Sequence, residues 1–177
     1  MFETEWFRIR RDKDAWDIKG KRGFSRGRYP YFMDRETFDL LDDSTAFYKN
    51  EGRKDFDDMI FDPTFMISDR FQLIFHYLEP AMEFNSVHLL DESQKEGIPA
   101  PLYWIPYLSC ENAVHEKSVV IQGKAENLVL RKEALEDRRI LHCQLPADDI
   151  WLFSLEAAEC ILRRAPQGIV MEKVSKE

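Results

Sequence analysis

The sequence predicts an α+β fold: a mixed or antiparallel sheet with helices packed on it, and two similar strand–helix–strand units. In the first unit, at residues 65–89, a short apolar strand leads to Ser68, and apolar residues then recur at i, i+3, i+4 and i+7. That spacing places them on one face of a helix, and serine is a favoured N-cap. The pattern returns at residues 150–174, with Ser154 before the second helix. The predicted apolar stripes are Phe71, Ile74, Phe75 and Leu78 in the first helix, and Leu155, Ala158, Ile161 and Leu162 in the second.

Prolines and short apolar runs indicate where the other elements begin and end. Pro80 ends the first helix, and Pro166 with Gly168 ends the second. Pro106 lies in an aromatic segment, 102–118, and argues against a regular central strand there because proline lacks the backbone N–H. The remaining predicted elements are a short helix with Phe38, Leu41 and Tyr48, strands at 119–121, 128–130 and 140–145, a turn at 123–127, and a short helix or helical turn at 131–139.

The length favours a single domain over residues 1–177, divided into three segments by composition. Residues 1–30 form a basic N-terminal arm or loop, residues 31–64 are acidic, and residues 65–174 form the core domain. Within the arm, residues 5–9 fit an edge strand. Three glycines at 20, 23 and 27 mark a basic loop, whose spacing matches neither a P-loop nor a dinucleotide fingerprint, so a solvated loop is favoured over a phosphate- or RNA-binding one.

The composition restricts the class of partner. The chain has 177 residues, a net charge of −8 and 13% aromatic residues. General nucleic-acid binding is therefore disfavoured, since phosphate contact needs positive surface, and a basic protein partner is favoured. We expect a cytoplasmic protein that does not bind a membrane, because the N-terminus has no apolar signal core and no stretch is long enough to span a bilayer. Three widely spaced cysteines indicate reduced thiols.

No catalytic or metal motif is recognisable, and we expect no catalytic residues, no metal site and no cofactor. The four histidines lack the i, i+4 spacing of a helical metal pair. A Cys–His nucleophile pair, for example Cys110 with His115, lacks a local signature. The carboxylates of residues 31–64 fit a metal site, a catalytic pair or a partner-facing acidic surface, of which the surface needs the fewest assumptions.

Four pieces of sequence, taken in order, resemble a family of bacterial immunity proteins. The pieces are FMISDRF, YWIPYLSCENAVHEKS, NLVLRKEAL followed by RRILHCQL, and IWLFSLEAAECILRRAPQGIVMEKV, which together span residues 65–174. Members of the family are encoded beside polymorphic or contact-delivered toxins and were formerly a domain of unknown function. The resemblance implies an inhibitor that neutralises a cognate toxin by direct protein–protein binding, and not an enzyme.

Both arguments lead to the same hypothesis, in which an acidic, aromatic-rich surface binds a basic toxin. Long-range attraction would speed the encounter, and a few buried aromatic side chains would supply the affinity. Two alternatives stay open: a small-molecule or peptide-modifying enzyme, and a nucleic-acid-associated regulatory module that uses residues 1–30. The predicted partner-binding residues are Asp42, Asp43, Asp55, Asp57, Asp58, Tyr103, Trp104 and Tyr107.

Overall fold

A computed structural model describes residues 4–15, 30–41, 44–49, 55–92, 97 and 100–177. Its strands and helices form an α+β fold, as the sequence predicts. In chain order the elements are β1 (Trp6–Arg11), α1 (Arg35–Asp39), β2 (Ser44–Tyr48), β3 (Met59–Ile60), β4 (Met66–Ser68), α2 (Asp69–Leu78), β5 (Glu83–Asp91), β6 (Leu102–Tyr107), β7 (Val119–Ile121), β8 (Lys124–Asn127), β9 (Val129–Leu130), a 3-10 turn (Lys132–Leu135), β10 (Ile140–Leu145), β11 (Asp148–Ser154), α3 (Leu155–Leu162) and β12 (Ile169–Lys176).

The chain divides into two compact units that are discontinuous in sequence. Unit 1 contains Met1–Arg10, Leu108–Ala165 and Val170–Glu177, and unit 2 contains Arg11–Tyr107 and Pro166–Ile169. These limits differ from the predicted segment boundaries near residues 30 and 64. The predicted basic loop, which includes residues 20–27, lies outside the described residues.

Unit 1 is built on a five-stranded sheet in the order β10–β11–β1–β12–β9. β1 is antiparallel to β11, with Trp6 opposite Ser154, and it is the middle strand of the sheet. The prediction of an edge strand at residues 5–9 is therefore wrong, because the strand found there is central. Burial agrees with the central position, since Trp6 and Ile9 are almost fully buried.

α3 follows β11 in unit 1 and begins at the predicted N-cap. The Ser154 hydroxyl accepts a hydrogen bond from the backbone N–H of Ala157 at 3.3 Å, which satisfies one of the free donors of the first turn. The buried face consists of Ala157, Ala158 and Ile161. Leu155 and Leu162, predicted for this stripe, are instead partly exposed or exposed, so the helix is rotated relative to the prediction.

A two-stranded hairpin of β7 and β8 also belongs to unit 1. Gln122 and Gly123 connect the strands with φ angles of 50° and 79°. Two consecutive residues with positive φ are typical of the type I′ turn, whose twist matches that of a hairpin. The predicted turn at 123–127 is thus too long, and Lys124–Asn127 form a strand. At residues 131–139, the predicted helical turn is present as the 3-10 turn.

Unit 2 contains a second five-stranded sheet, in the order β2–β5–β6–β4–β3. β2 runs parallel to β5, and the other neighbours are antiparallel. β6 is a central strand despite Pro106, contrary to the prediction. Pro106 lies opposite Phe84 of β5, whereas the register with β4 includes only Tyr103 and Trp104, so the proline falls past the end of that pairing.

α2 packs the predicted apolar residues inward in unit 2. Phe71, Phe75 and Leu78 are buried, and Ile74 is half-buried. Ser68 occupies the N-cap position, but its side chain makes no cap hydrogen bond. Its hydroxyl donates instead to the Asp58 carboxylate at 2.8 Å.

Both predicted strand–helix–strand successions occur, as β4–α2–β5 and β11–α3–β12. Their origin from one repeated unit stays a prediction. Tyr48, predicted for a short helix with Phe38 and Leu41, lies in β2, and α1 contains Phe38. Among the helices of the described residues, none is long and apolar enough to cross a bilayer.

Candidate functional site

The predicted acidic cluster is spread over different environments in unit 2. Asp42 and Asp43 lie outside the described residues. Asp55 is exposed, in agreement with a surface role. Asp57 and Asp58 are buried, with 8% and 5% of their surface exposed. These two side chains therefore do not present the acidic surface that the sequence predicts.

Asp58 is a hydrogen-bonding centre within unit 2. One carboxylate oxygen accepts from the Ser68 hydroxyl and from Arg70 Nε at 2.6 Å. The other accepts from Arg70 Nη2 at 2.7 Å and from the backbone N–H of Gln167 at 2.9 Å. A carboxylate with these four donors holds β4, α2 and the 166–169 segment together, which gives a structural reason for an acidic residue at this position.

The three predicted aromatic residues lie on β6 and differ in exposure. Tyr103 is fully buried, and its hydroxyl donates to the backbone oxygen of Asp57 at 2.6 Å, so its ring belongs to the core and is not presented at the surface. Trp104 is half-buried, and its indole N–H donates to Asp69 Oδ1 at 2.8 Å. Tyr107 is half-buried and stacks on Phe38 with ring centroids 5.0 Å apart.

An outward-facing surface of α2 lies beside Trp104. Leu73 and Tyr77 are 75% and 69% exposed, and they are separated by one helical turn. Asp69, one turn earlier, holds the Trp104 indole. We call Asp69, Leu73, Tyr77 and Trp104 the α2 face. Sequence reasoning missed Leu73 and Tyr77, although two large apolar residues outside the buried stripe are a signal for such a surface.

Unit 1 brings a thiol, an imidazole and a carboxylate into contact. The Sγ atom of Cys110 lies 3.4 Å from Nδ1 of His142, and Nε2 of His142 lies 2.6 Å from Oδ1 of Asp149. Cys110 is exposed, whereas His142 is only 4% exposed. The sequence-based example paired Cys110 with His115, but the Nδ1 atom of His115 instead accepts from the backbone N–H of Lys117 at 3.1 Å.

The β10–β11 hairpin fixes the imidazole. His142 lies directly opposite Trp151, and the two rings stack with centroids 4.3 Å apart. Asp149 is two residues before Trp151 and therefore lies on the same side of β11. Its second oxygen accepts from the Trp151 indole N–H at 3.0 Å. The imidazole and the carboxylate are thus each held by a neighbour on the same hairpin.

Both nitrogens of His142 face hydrogen-bond acceptors. Nε2 faces the Asp149 carboxylate, and Nδ1 lies 2.9 Å from the backbone oxygen of Leu108. A neutral imidazole has one donor nitrogen, so only the imidazolium can donate to both oxygens. Burial alone lowers the pKa of His142, but the hydrogen bond to Asp149 and the contact with Cys110 outweigh burial and raise this pKa to about 10. His142 is therefore a cation at neutral pH.

An open cleft of about 530 Å³ adjoins Cys110 in unit 1. Its wall carries both signs of charge, with Arg131 and two glutamates among the lining residues. Glu111, next to Cys110, forms an ion pair with Arg138 at 3.0 Å. The residues lining the cleft are Cys110, Glu111, Asn112, Val114, His115, Glu116, Ser118, Val120, Arg131, Gln144 and Leu145.

Within the described part of the chain, no group of three or more histidine, cysteine, aspartate or glutamate side chains is arranged to hold a metal ion. No protein-family model matches the sequence, and a search of curated proteins gives no significant match. The resemblance to immunity proteins stays a prediction from the sequence.

Proposed function

We propose that the protein neutralises a cognate bacterial toxin by binding it directly through the α2 face. The observation that supports this proposal is the exposure of Leu73 and Tyr77, two large apolar side chains on one helical turn, beside Trp104. Tyrosine and tryptophan are enriched among the residues that dominate binding energy in protein interfaces. The α2 face thus takes the role that the sequence assigned to Tyr103.

The energetic contribution of this surface is substantial. Complete burial of a leucine or aromatic side chain is favourable by about 1.5–3 kcal/mol. Since about 1.4 kcal/mol corresponds to a tenfold change in affinity, Leu73 and Tyr77 together account for roughly two to four powers of ten. The exposed fractions of both side chains leave most of that surface available for burial.

Charge supports a basic toxin as the partner. The net charge of −8 gives long-range attraction toward a positively charged protein, which raises the association rate at low salt. The proposal keeps Asp55 and Tyr107 as partner-binding residues. Asp42 and Asp43 lie outside the described residues, and their role in partner binding stays a prediction from the sequence. Loss of attraction in high salt is expected to slow association more than it speeds dissociation.

The proposal is tested by co-purification of the protein with the product of the adjacent upstream gene, and by rescue of cells that express that product. The variant Leu73→Glu is expected to weaken the complex by tenfold or more, since it places a charge where an apolar side chain is to be buried. Leu162→Glu is the matched control: Leu162 is an exposed helical leucine of unit 1, 51% exposed, outside the α2 face. Absence of a complex together with absence of rescue would contradict the proposal.

Of the two alternative functions, the enzyme that modifies a small molecule or peptide is favoured by one observation. The contact between Cys110 and His142 in unit 1 would be the place where such an enzyme reacts. The nucleic-acid alternative depends on the basic loop, which lies outside the described residues, and no contact or charge cluster described above favours it.

A further inference from the structure

We propose that Cys110 is a nucleophilic thiolate that exchanges with low-molecular-weight disulfides and becomes a mixed disulfide, with His142 as its counter-ion and Asp149 as the positioning residue. This site lies in unit 1 and is independent of the α2 face. The ligand class is a small polar disulfide, one half of which stays attached to Cys110 beside the cleft.

The contact between Cys110 and His142 supports the thiolate. A cation next to a thiol favours the ionised sulfur, and thiolates are the reactive form of cysteine. The cation is buried while the sulfur is on an exposed residue, so solvent screens the pair incompletely but a reagent still reaches the sulfur. Of the other charges near the sulfur, Glu111 is paired with Arg138, and Asp149 contacts the opposite nitrogen of the imidazole, Nε2, where it holds His142 as a cation.

The hydrogen bonds of His142 favour thiol–disulfide exchange at Cys110 over acyl transfer. Its Nδ1 proton is directed to the Leu108 carbonyl at 2.9 Å as well as to Cys110, and its Nε2 proton to Asp149. An imidazolium held in this way stays protonated and acts as a fixed charge, whereas acyl transfer needs a histidine that exchanges its proton with the leaving group. Thiol–disulfide exchange needs a thiolate and no proton transfer.

The reaction balances without any further reagent. The Cys110 thiolate attacks one sulfur of the disulfide, a new sulfur–sulfur bond forms, and the original bond breaks. The departing half takes the electron pair as a thiolate. Cys110 is oxidised and that half is reduced, so the small disulfide is the oxidant.

The mixed disulfide is expected to persist because the neighbouring thiol on β10 is a poor attacking group. Cys143 is 1% exposed, and burial raises the pKa of its thiol to about 12. A thiol that stays protonated does not attack a disulfide. The adjoining cleft, at about 530 Å³, is within the size range of small-molecule sites, and its charged wall suits a polar adduct.

The experiment uses the full chain and glutathione disulfide as the probe, with adducts located by mass spectrometry of intact protein and peptides. We expect one adduct, on Cys110. With the chromogenic probe 2,2′-dithiodipyridine, the rate at pH 6 is expected to stay within about threefold of the rate at pH 8. An ordinary thiol, with a pKa of about 8.5, loses roughly a hundredfold of its thiolate over that interval.

Variants separate this site from the other thiols. Cys110→Ser is expected to abolish the fast phase, and Cys160→Ser, which removes the other partly exposed thiol, is expected to leave it unchanged. Asp149→Asn is expected to restore the steep pH dependence of an ordinary thiol, a result that a purely structural role would not give. If Asp149→Asn does not fold, the pH profile of the unsubstituted protein decides the question.

Three results would overturn the proposal. The first is reaction at Cys110 no faster than at Cys160 at pH 6. The second is an ordinary, steep pH dependence of the Cys110 rate. The third is repeated Cys110-dependent hydrolysis of p-nitrophenyl acetate, because sustained turnover would require His142 to transfer protons.

Discussion

Asp149→Asn is expected to change the pH dependence of stability in a defined direction. The substitution keeps the shape of the side chain but removes the negative charge that holds His142 as a cation. When Cys110 is also replaced by serine, burial dominates and lowers the pKa of His142, so the imidazole of the variant is neutral above pH 6.5 in both the folded and the unfolded state.

The magnitude follows from the two pKa values of His142 in the unsubstituted protein. The value is about 10 when folded and 6.5 for the unperturbed group. A raised pKa stabilises the folded state fully below the unfolded value, and this stabilisation is lost as the pH rises through the folded value. Each pH unit between these limits corresponds to about 1.4 kcal/mol, so the contribution is on the order of 5 kcal/mol at pH 6, on the order of 3 kcal/mol at pH 8, and absent above pH 10.

Urea unfolding at a series of pH values measures this contribution, followed by circular dichroism and tryptophan fluorescence. The protein and its Asp149→Asn variant are compared in a background that carries Cys110→Ser, so that ionisation of that thiol does not enter the comparison. Because Cys110 also raises the pKa of His142, the difference in this background is expected to be smaller than the values above. The difference in free energy of unfolding between the two is expected to shrink steadily from pH 6.5 to 10. A difference independent of pH over that range would mean that His142 is neutral throughout, and the reasoning would be refuted.

Two further predictions concern the packing of each unit. Gly168→Ala is expected to destabilise unit 2 by about 2–4 kcal/mol in thermal unfolding, because an added Cβ would lie 2.7 Å from the backbone oxygen of Met59; Gly97→Ala, also at positive φ but with nothing within 4 Å, is the matched control and is expected to cost about 1 kcal/mol. Equal costs would contradict the steric argument. Arg8→Met is expected to destabilise unit 1 by about 3–5 kcal/mol, since it leaves the buried carboxylate of Asp148 without its ion-pair partner. The double variant Arg8→Met/Asp148→Asn is expected to recover part of that loss, and no recovery would argue against a charge effect.

Local sequence patterns predicted elements in which neighbouring residues have the same degree of burial. β10 was predicted with its observed bounds, 140–145, because apolar residues predominate in that segment. The position of a strand within its sheet is a different matter. β1 is central because β11 and β12 flank it, and both come from the other end of the chain. Nothing within residues 5–9 distinguishes that arrangement from an edge.

Successive residues of a strand point to opposite faces of the sheet, but this alternation does not tell which face is buried in the core. Tyr103 and Trp104 point to opposite sides of β6, and the sequence does not indicate which side meets the core. The structure places Tyr103 inside and Trp104 beside Asp69. The error for Asp58 has a similar cause, since the Arg70 side chain that accounts for its burial lies on the next helix.

Half of the thiol–imidazole–carboxylate site could have been read from the sequence. A connection of two residues between β10 and β11 sets the register that places His142 opposite Trp151 and diagonal to Asp149. The other half depends on a parallel bridge between Cys110 and His142, which comes from outside the hairpin. Contacts of that kind are determined by tertiary packing and have no local signal.

The central place of β1 has a consequence for how unit 1 is made. β1 precedes both of its flanking strands, β11 and β12, by most of the described chain. During synthesis it therefore stays unpaired until those strands have been made, and sheet closure joins segments far apart in the chain, which slows folding. Deleting the first ten residues would remove the strand that separates β11 from β12, so such a truncated protein is expected to be insoluble.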